Sequence, residues 1–493
     1  MSNILNSFVQ TKIFKRKYEI IGHLVFLLLG IMAIVFAKER VFFSDSAYQV
    51  YTMVKDQTFS ISVDRYSMYL SQLLPFFLIK LNAPLWLIVY SYSISFILIF
   101  YILWLIVTYK FKNEKVGILM LFTILGIATT FIHCLSELFQ LMFYASFLFA
   151  CIMYEPQIKN KIISTIVYYS LIFITTGLCF FIHPTAIFFI AFIFGFRFLE
   201  KKDKLSKTIA FAVIFIGWFI FKLTCYKEGN HDSHFYNDMK GFLDIFLSLF
   251  EQNKTHMYFK NIHNFYFIPL LLITISTVFY IKNKKYLKTF FIVGFSLIYW
   301  VIACVFYHNE VGRIEMERSF LPLFFFAGIP FLIDVFPKIS LKKDTIFVGV
   351  FCFLLLFSFY KMGACLRKNR WRIAHCEEVI KFAQENNAKK LVVTADNASE
   401  LGINNGWALS LETILLSSMY DPNGTVSIYK LDNDFDRNDE YLTDPNIYYF
   451  AEFWMYWPIS EINKKYFNLP YEPTKELSIE NGKMVIKEFI TEN

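Results

Sequence analysis

The chain has 493 residues, of which 56% are hydrophobic and 20% aromatic, and its mean hydropathy is +0.45. A water-soluble core does not account for this apolar content, so the composition excludes an ordinary soluble protein and indicates an integral membrane protein. The formal net charge is +8. In a membrane protein an excess of Lys is expected first in cytoplasmic loops, so the charge reports topology and gives no indication of a nucleic-acid partner.

The first apolar run covers residues 20–37 and follows the basic segment "KIFKRKYE". This order is also typical of a secretory signal peptide. However, "AKERVFF" is a poor cleavage site, and many further apolar runs follow. The sequence therefore predicts an uncleaved first helix.

Apolar stretches of the length that crosses a bilayer, roughly 17 to 25 residues, recur along the chain. They lie near residues 20–37, 84–108, 116–133, 138–154, 161–181, 184–199, 207–225, 263–281, 289–306, 319–335 and 345–362. The pattern predicts about eleven membrane-spanning helices. A further stretch, 67–81, is shorter and contains Pro75, so it is either a twelfth span or a helix on the membrane surface.

The distribution of Lys and Arg favours the surface helix. With eleven spans, the loops "KIFKRK", "YKFKNEK", "PQIKNK", "RFLEKKDKLSK", "KNKKYLK" and "PKISLKK" all fall on one side of the membrane, and a twelfth span would destroy this bias. Positive loops mark the cytoplasmic side. The sequence therefore predicts a protein of a bacterial cytoplasmic membrane with its N-terminus in the cytoplasm. The predicted external segments are 38–82, 226–262, 307–318 and 363–493.

The character of the sequence changes after "KMGACLRKNRWR". Residues 372–388 have helical periodicity, "KKLVVTAD" and "GTVSIYKL" are typical of strands, and "WALSLETILLSSM" indicates another helix. The predicted fold is an all-α polytopic membrane bundle, residues 1–362, with a small C-terminal α/β domain outside the membrane, residues 363–493. Cys365 and Cys376 are the two thiols placed to pair outside the membrane, and the sequence leaves their pairing open.

Ionisable side chains collect at the predicted external helix ends, where such groups are often functional. They are Asp45, Asp64, Arg65, His133, Glu137, His183, His308, Glu310, Arg313, Glu315 and Arg318. Among them, Asp45 is predicted as a general base. The predicted substrate-binding residues are Asp64, Arg65, Glu137, His183, His308, Arg313 and Arg318.

Each of these residues also has a purely structural interpretation. Asp45 is placed to cap the following helix. Asp64 and Arg65 are placed to form a surface ion pair, and Glu137 to interact with a helix dipole. His183 is a candidate hydrogen-bonding residue at a helix end, and the arginines of "YHNEVGRIEMERSF" have glutamates beside them. Taken singly, these residues are weak indicators of function.

Taken together, they place carboxylates of early external loops opposite basic residues of a late loop. A carboxylate serves as a general base towards a hydroxyl group, and guanidinium groups bind phosphate by charge-assisted hydrogen bonds. Sugar transfer from a lipid phosphate needs both groups.

This layout resembles the integral-membrane C-type glycosyltransferases (GT-C) that use polyprenyl-phosphate sugars, such as protein O-mannosyltransferases and lipid A aminoarabinose transferases. The resemblance rests on an acid in "SDSAY" after the first span and on surface helices around "DRYSMYLSQLLPFFLIKLNAPLW". It also rests on about eleven spans, a late "ERSFLPLFFFAGIPFL" helix and a C-terminal external domain. It is a resemblance of architecture more than of sequence.

The resemblance implies that Asp45 is the catalytic acid of the first loop and that Arg318 meets the lipid phosphate. It places Asp64 and Arg65 at a second charged motif, and Glu137 at the acid that some members carry between spans three and four. The partners it implies are a polyprenyl-phosphate-linked sugar donor, membrane lipid and a glycan, lipid or protein acceptor, with no nucleic acid.

The first external loop also departs from the family pattern, because it has no DxD, no Asp-Glu pair and no "HPP". No cofactor is firmly implied, and a requirement for a divalent metal ion stays open.

Two other classes remain open. A transporter would explain the spans, but it usually has ionisable groups or broken helices near mid-membrane and often internal repeats, and the predicted spans show few such groups and no repeat. An O-antigen polymerase or ligase would have a similar number of spans, but the first-loop acid and the C-terminal domain favour GT-C. The aromatic run "YYFAEFWMYWP" is either a sugar-stacking surface or the core of its domain.

Overall fold

The structure is a computed structural model that describes residues 2–489, except 62–63, 202, 226–241, 252, 262–266, 307–311, 339–340, 406, 432–439 and 452–454. It is mostly helical, with a small sheet region near the C-terminus.

The helices follow one another along most of the chain. In chain order they are α1 (Ser2–Val35), α2 (Ala37–Val41), α3 (Ser44–Asp56), α4 (Tyr69–Lys80), α5 (Leu85–Leu105), α6 (Glu114–Thr123), α7 (Glu137–Met153), α8 (Lys161–Phe180), α9 (Ala186–Glu200), α10 (Leu205–Thr224), α11 (Phe242–Leu247), α12 (Asn253–Asn261), α13 (Phe267–Lys282), α14 (Tyr286–Phe306), α15 (Arg313–Pro330), α16 (Leu341–Glu385), α17 (Ala395–Glu400) and α18 (Leu409–Ser417). Two π-helical turns, Ile106–Lys110 and Phe331–Val335, extend α5 and α15.

Seven helical segments among the described residues are long and apolar enough to cross a membrane. They are Lys17–Val35, Leu85–Lys110, Lys161–Phe180, Leu205–Thr224, Tyr286–Val305, Ile314–Lys338 and Thr345–Glu385. The chain is therefore a membrane protein, as the composition predicts. The other four predicted spans correspond to the shorter helices α6, α7, α9 and α13, so the helical bundle is confirmed and the number of eleven spans is not.

The short apolar stretch at 67–81 forms a 3₁₀ turn, Tyr66–Met68, followed by the 12-residue helix α4. At 1.5 Å per residue, a helix of this length reaches about 18 Å, well short of the ~30 Å hydrocarbon core of a bilayer. It is too short to cross a membrane alone.

Helix α16 runs for 45 residues without a break, through the predicted domain boundary at 362/363. Cys365 and Cys376 both lie on it with buried thiols that are in no disulfide among the described residues. Eleven residues of helix separate their Cα atoms by about 16 Å, more than twice the distance that a disulfide allows. In this structure the two thiols cannot pair.

The C-terminal region contains a four-stranded sheet and a separate hairpin. The strands are β1 (Lys390–Thr394), β2 (Ser427–Leu431), β3 (Ile447–Ala451), β4 (Met455–Pro458), β5 (Lys475–Glu480) and β6 (Lys483–Glu488). The sheet order is β2-β1-β5-β6, with β1 parallel to β2 and β5, and β5 antiparallel to β6. The two strands predicted from the sequence are β1 and β2, and the helix between them is α18.

An aromatic interface joins this region to α3. The buried Tyr51 stacks on Trp457 at 5.6 Å between ring centroids and contacts Phe467 at 5.0 Å. Its hydroxyl group forms a hydrogen bond with the hydroxyl group of Tyr448. Tyr448 and Trp457 belong to the hairpin β3-β4 and to the aromatic run "YYFAEFWMYWP". Tyr448 and Trp457 therefore pack against α3, which agrees with the interpretation that the aromatic run belongs to the core of its domain.

Candidate active site

Asp45 is the second residue of α3, which follows the first membrane helix and the short helix α2. The N-cap position of α3 is Phe43, and no side chain makes a capping hydrogen bond there. Asp45 occupies the first turn with its side chain half-buried, and it forms no hydrogen bond or ion pair with any described residue. The capping interpretation of Asp45 is therefore not supported by the contacts of the described residues.

Arg65 forms an ion pair with Glu137, the first residue of α7. The sequence suggested a pair between the neighbours Asp64 and Arg65, and the structure gives Arg65 a partner on a different helix. Asp64 adopts a left-handed φ of 55° and accepts a hydrogen bond of 3.1 Å from the hydroxyl group of Tyr66. The Arg65–Glu137 pair links the segment between α3 and α4 to the start of α7.

A loop at residues 127–136 connects the end of α6 to α7 and is held by Glu317 of α15. Glu317 is 1% exposed and accepts five hydrogen bonds, from the backbone N–H groups of 128–130 and from the hydroxyl groups of Thr129 and Thr130. A buried carboxylate needs such partners, because an unpaired one is costly. Glu317 thus fixes this loop to the helix that carries Arg318.

Arg40 of α2 holds the same loop from the other side. It is fully buried, and its guanidinium group donates 2.9 Å and 2.7 Å hydrogen bonds to the carbonyl oxygen of Phe131 and the hydroxyl oxygen of Ser93. The guanidinium group also lies 4.3 Å from the centre of the Phe131 ring. Arg40 has no acidic partner among the described residues, so backbone carbonyl groups and an aromatic ring stabilise its charge.

Arg318 follows Glu317 directly and is half-buried. Its guanidinium group forms no hydrogen bond or ion pair within the described part of the chain. Its positive charge acts on two histidines, His133 and His183. Arg318 is therefore a partly buried cation whose charge reaches both imidazole rings and which has no acidic partner among the described residues.

His133 lies in the loop that Glu317 and Arg40 hold. It is 6% exposed, and neither of its ring nitrogens has a hydrogen-bond partner among the described residues. Its ring packs edge-on against Phe43 at 4.5 Å between centroids, two residues before Asp45. Burial, and secondly the charge of Arg318, lower the pKa of His133 to about 3, so its imidazole is neutral at physiological pH.

His183 lies in the turn between α8 and α9. Its Nδ1 atom accepts a 3.2 Å hydrogen bond from the backbone N–H of Thr185 and lies 2.8 Å from the Thr185 hydroxyl group. Burial, followed by the charges of Arg65 and Arg318, lowers its pKa well below the ordinary value. Neutral His183 therefore carries its proton on Nε2, which leaves this N–H as the donor towards a ligand.

The structure thus brings most of the predicted site residues to one end of the bundle. The charges of Asp45 and Glu137 both act on the hydroxyl group of Tyr92 in α5, which donates a 2.6 Å hydrogen bond to Gln49 of α3. His308 and the side chain of Arg313 lie outside the described residues. Among the described residues, the Asp45 carboxylate and the Arg318 guanidinium group form no hydrogen bond or ion pair, whereas Arg65 is paired with Glu137.

Buried polar side-chain atoms without described partners occur next to Asp45 in the chain and in the loop at residues 127–136. The hydroxyl groups of Ser46 and Ser136 are buried without a hydrogen bond among the described residues, as is the ring of His133. Buried polar groups are rarely left unpaired in proteins unless a ligand or water serves them. No group of three His, Cys, Asp or Glu side chains in the described part of the chain converges as a metal ion would require.

Sequence reasoning missed Glu317 and Arg40 as the residues that build the site. Both act on the loop at 127–136, which is distant from each of them in the sequence, and no local motif marks such contacts. The sequence predicted His133 as an external residue in a turn, but the structure was needed to find its contact with Phe43 and the absence of hydrogen-bond partners among the described residues.

Comparison with known proteins finds no matching family model, no matching curated protein and no matching solved structure. Fold and site together define a helical membrane protein with a C-terminal sheet region and a half-buried polar site beside the start of α3.

Proposed function

We propose that this protein is a membrane glycosyltransferase that moves a sugar from a polyprenyl phosphate to an extracytoplasmic acceptor. The observation that carries the proposal is the pair Asp45 and Arg318, a carboxylate and a guanidinium group that both lack protein partners among the described residues. They lie at one end of the bundle, connected through the contact between Phe43 and His133.

In the proposed reaction, the carboxylate of Asp45 takes the proton from an acceptor hydroxyl group as the hydroxyl oxygen attacks the anomeric carbon of the sugar. The bond between this carbon and the phosphate oxygen breaks, and the electron pair leaves with the polyprenyl phosphate. The guanidinium group of Arg318 stabilises the phosphate charge by donating two parallel N–H···O hydrogen bonds to phosphate oxygens. A single direct displacement of this kind inverts the configuration of the sugar.

The two neutral histidines fit a role as hydrogen-bond donors. An imidazole N–H donates to a phosphate or sugar oxygen without adding another positive charge beside Arg318. The Arg65–Glu137 pair, which is internally neutralised, fits a role in shaping the site and placing the loop at 127–136. Asp64, His308 and Arg313 stay candidates for substrate binding.

The opposite end of the bundle is closed by a buried charged cluster. Lys288, at the start of α14, forms an ion pair with Glu200 at the end of α9 and lies 2.6 Å from Asp334. The hydroxyl group of Tyr280 donates a 2.7 Å hydrogen bond to the same Asp334 carboxylate. Two of these charges lie at helix ends and not at mid-membrane, so the cluster gives no specific support to a transporter.

The orientation follows from the charged loops, and a labelling experiment tests it. Asn283, in the exposed turn between α13 and α14, is proposed to face the cytoplasm, and Asn481, in the exposed turn between β5 and β6, to lie outside. With the partly exposed Cys225 and Cys352 replaced by serine, a membrane-impermeant thiol reagent is expected to label Asn481→Cys in intact cells. Asn283→Cys should react with the reagent only after the cells have been permeabilised. The reverse pattern, or equal labelling of both, would contradict the proposed topology.

Ligand binding tests the proposed function without knowledge of the acceptor. A ligand that binds the native state raises its thermal stability. In purified protein, polyprenyl phosphate is therefore expected to raise the melting temperature, and polyprenol, which has the same chain without the phosphate, should raise it much less. Equal shifts with the two lipids would indicate chain binding alone and would contradict a phosphate site.

A further inference from the structure

Two buried side chains of the C-terminal part of the chain reach the segment that carries Asp45. Arg372 lies on α16 beyond the apolar section of this helix, and Glu412 lies on α18. They are 7% and 1% exposed, and the Nη1 atom of Arg372 lies 2.6 Å from the Oε2 atom of Glu412. Nearly complete burial makes this an ion pair that solvent hardly screens.

Both members of the pair also bind the backbone immediately before Asp45. The Nη2 atom of Arg372 donates a 2.6 Å hydrogen bond to the carbonyl oxygen of Phe42. The Oε1 atom of Glu412 accepts a 2.7 Å hydrogen bond from the backbone N–H of Ser44. The pair therefore holds the chain on both sides of Phe43.

Two further hydrogen bonds hold the side chains of the pair. The Nε atom of Arg372 donates to Asn369 at 3.0 Å, and the side-chain amide of Asn405 donates to the Oε1 atom of Glu412 at 2.9 Å. A displacement of either side chain would break several of these buried, charge-assisted hydrogen bonds, which is costly. The pair is thus a rigid support for the backbone it binds.

The supported backbone is strained at Ser44. Its φ is 37°, in the left-handed region that residues other than glycine seldom adopt. A strained residue of this kind persists only when its surroundings hold it in place. Since Ser44 is the first residue of α3, its conformation sets the direction in which the first turn of this helix presents Asp45.

We propose that Arg372 and Glu412 are positioning residues that hold the Ser44 backbone in its left-handed conformation and so aim the carboxylate of Asp45. The inference rests on the proposed role of Asp45 as general base. It makes the C-terminal domain a part of the catalytic apparatus, because a residue of α18 fixes the geometry of the first external loop.

Kinetics of Glu412→Ala test this role. A displacement of about 1 Å at a reacting group lowers the rate by up to about 10²-fold. We therefore expect kcat, expressed per folded enzyme, to fall by about 10- to 100-fold. The donor KM should change much less, since the lipid phosphate is bound at Arg318. The assay follows radiolabelled sugar from polyprenyl-phosphate hexose and pentose donors in membranes that contain the native acceptor.

The chain offers a matched control in the pair Lys55–Glu461. This pair also joins α3 to the C-terminal region, at 3.5 Å, but it lies at the far end of α3 from Asp45 and Glu461 is 53% exposed. Glu461→Ala should therefore keep kcat near the wild-type value. Equal values of kcat for the two alanine variants would overturn the proposal, as would a loss at Glu412 that is confined to the donor KM.

A second variant covers the case in which Glu412→Ala does not fold. In Glu412→Gln the side-chain oxygen still accepts the hydrogen bond from Ser44, but the neutral amide no longer balances Arg372. Its kcat per folded enzyme should fall below the wild-type value, because the unbalanced Arg372 no longer holds the Phe42 carbonyl group in place. A wild-type kcat in Glu412→Gln would again overturn the positioning role. Asp45→Asn in the same assay separates the two proposals. If Asp45→Asn abolishes transfer and the Glu412 variants do not, the positioning role fails alone, whereas full activity in Asp45→Asn refutes the proposed function of Asp45.

Discussion

Replacement of Asp45 by asparagine is expected to lower sugar transfer by about 10² to 10⁴-fold, the usual contribution of a general base. Asparagine keeps the size of the side chain but cannot take a proton from an acceptor hydroxyl group. The protein should still fold and insert, because the Asp45 carboxylate has no hydrogen bond or ion pair among the described residues that the substitution would break. Transfer is measured in membranes with a radiolabelled polyprenyl-phosphate sugar.

Asp56→Asn provides the control on the same helix. Asp56 is exposed at the end of α3, where its carboxylate lies 2.7 Å from the Nζ atom of Lys55. Exposed pairs of this kind contribute little to stability, so this variant should transfer sugar at nearly the wild-type rate. If Asp45→Asn were active within a few fold of the wild type, Asp45 would be a surface carboxylate without a catalytic role.

Arg318 is expected to show the second large effect. A hydrogen bond to a charged group contributes about 1.5 to 3 kcal/mol. Arg318→Lys keeps the positive charge but loses the planar pair of donors, so it should lower kcat/KM by about 10- to 100-fold. Arg318→Ala removes the charge as well and should lower kcat/KM by about 10³-fold or more, through both the donor KM and kcat.

The order of these variants identifies the role of the residue. If Arg318 only balances charge within the protein, lysine should serve as well as arginine. Arg367→Ala, which removes an exposed arginine of α16, should have no comparable effect on transfer and serves as the control. Wild-type transfer by both Arg318 variants would remove the residue from the proposed phosphate site.

Local patterns in the sequence predicted much of the fold. Apolar length and charge placed a helix near every predicted span, and β-branched residues in "KKLVVTAD" and "GTVSIYKL" placed β1 and β2. The continuous helix α16 was not anticipated, because the charged segment "LRKNRWR" looks like the end of a membrane span. Charged residues are compatible with a helix that continues into water, so composition marks the edge of the membrane there and not the end of the helix.

Part of the candidate site was recognisable in the sequence for a similar reason. Asp45 and Arg318 stand out because an ionisable residue at the end of an apolar run is visible in the sequence. Glu317 cannot be recognised in this way, because its role is to accept hydrogen bonds from backbone N–H groups of the loop between α6 and α7. The contact between Glu412 and Ser44 joins residues 368 positions apart. Periodicity and motif spacing describe neighbours along the chain, so contacts of this range need the folded structure.

The most direct measurement for the central claim is an experimental structure of the protein with bound polyprenyl phosphate. The account predicts the phosphate group at the external end of the bundle, with its oxygens about 2.7 to 3.2 Å from the guanidinium nitrogens of Arg318. It also predicts that the carboxylate of Asp45 faces the same cavity, with space for a sugar between the two groups. A phosphate bound away from Arg318, or an Asp45 carboxylate that faces away from the lipid site, would contradict the account.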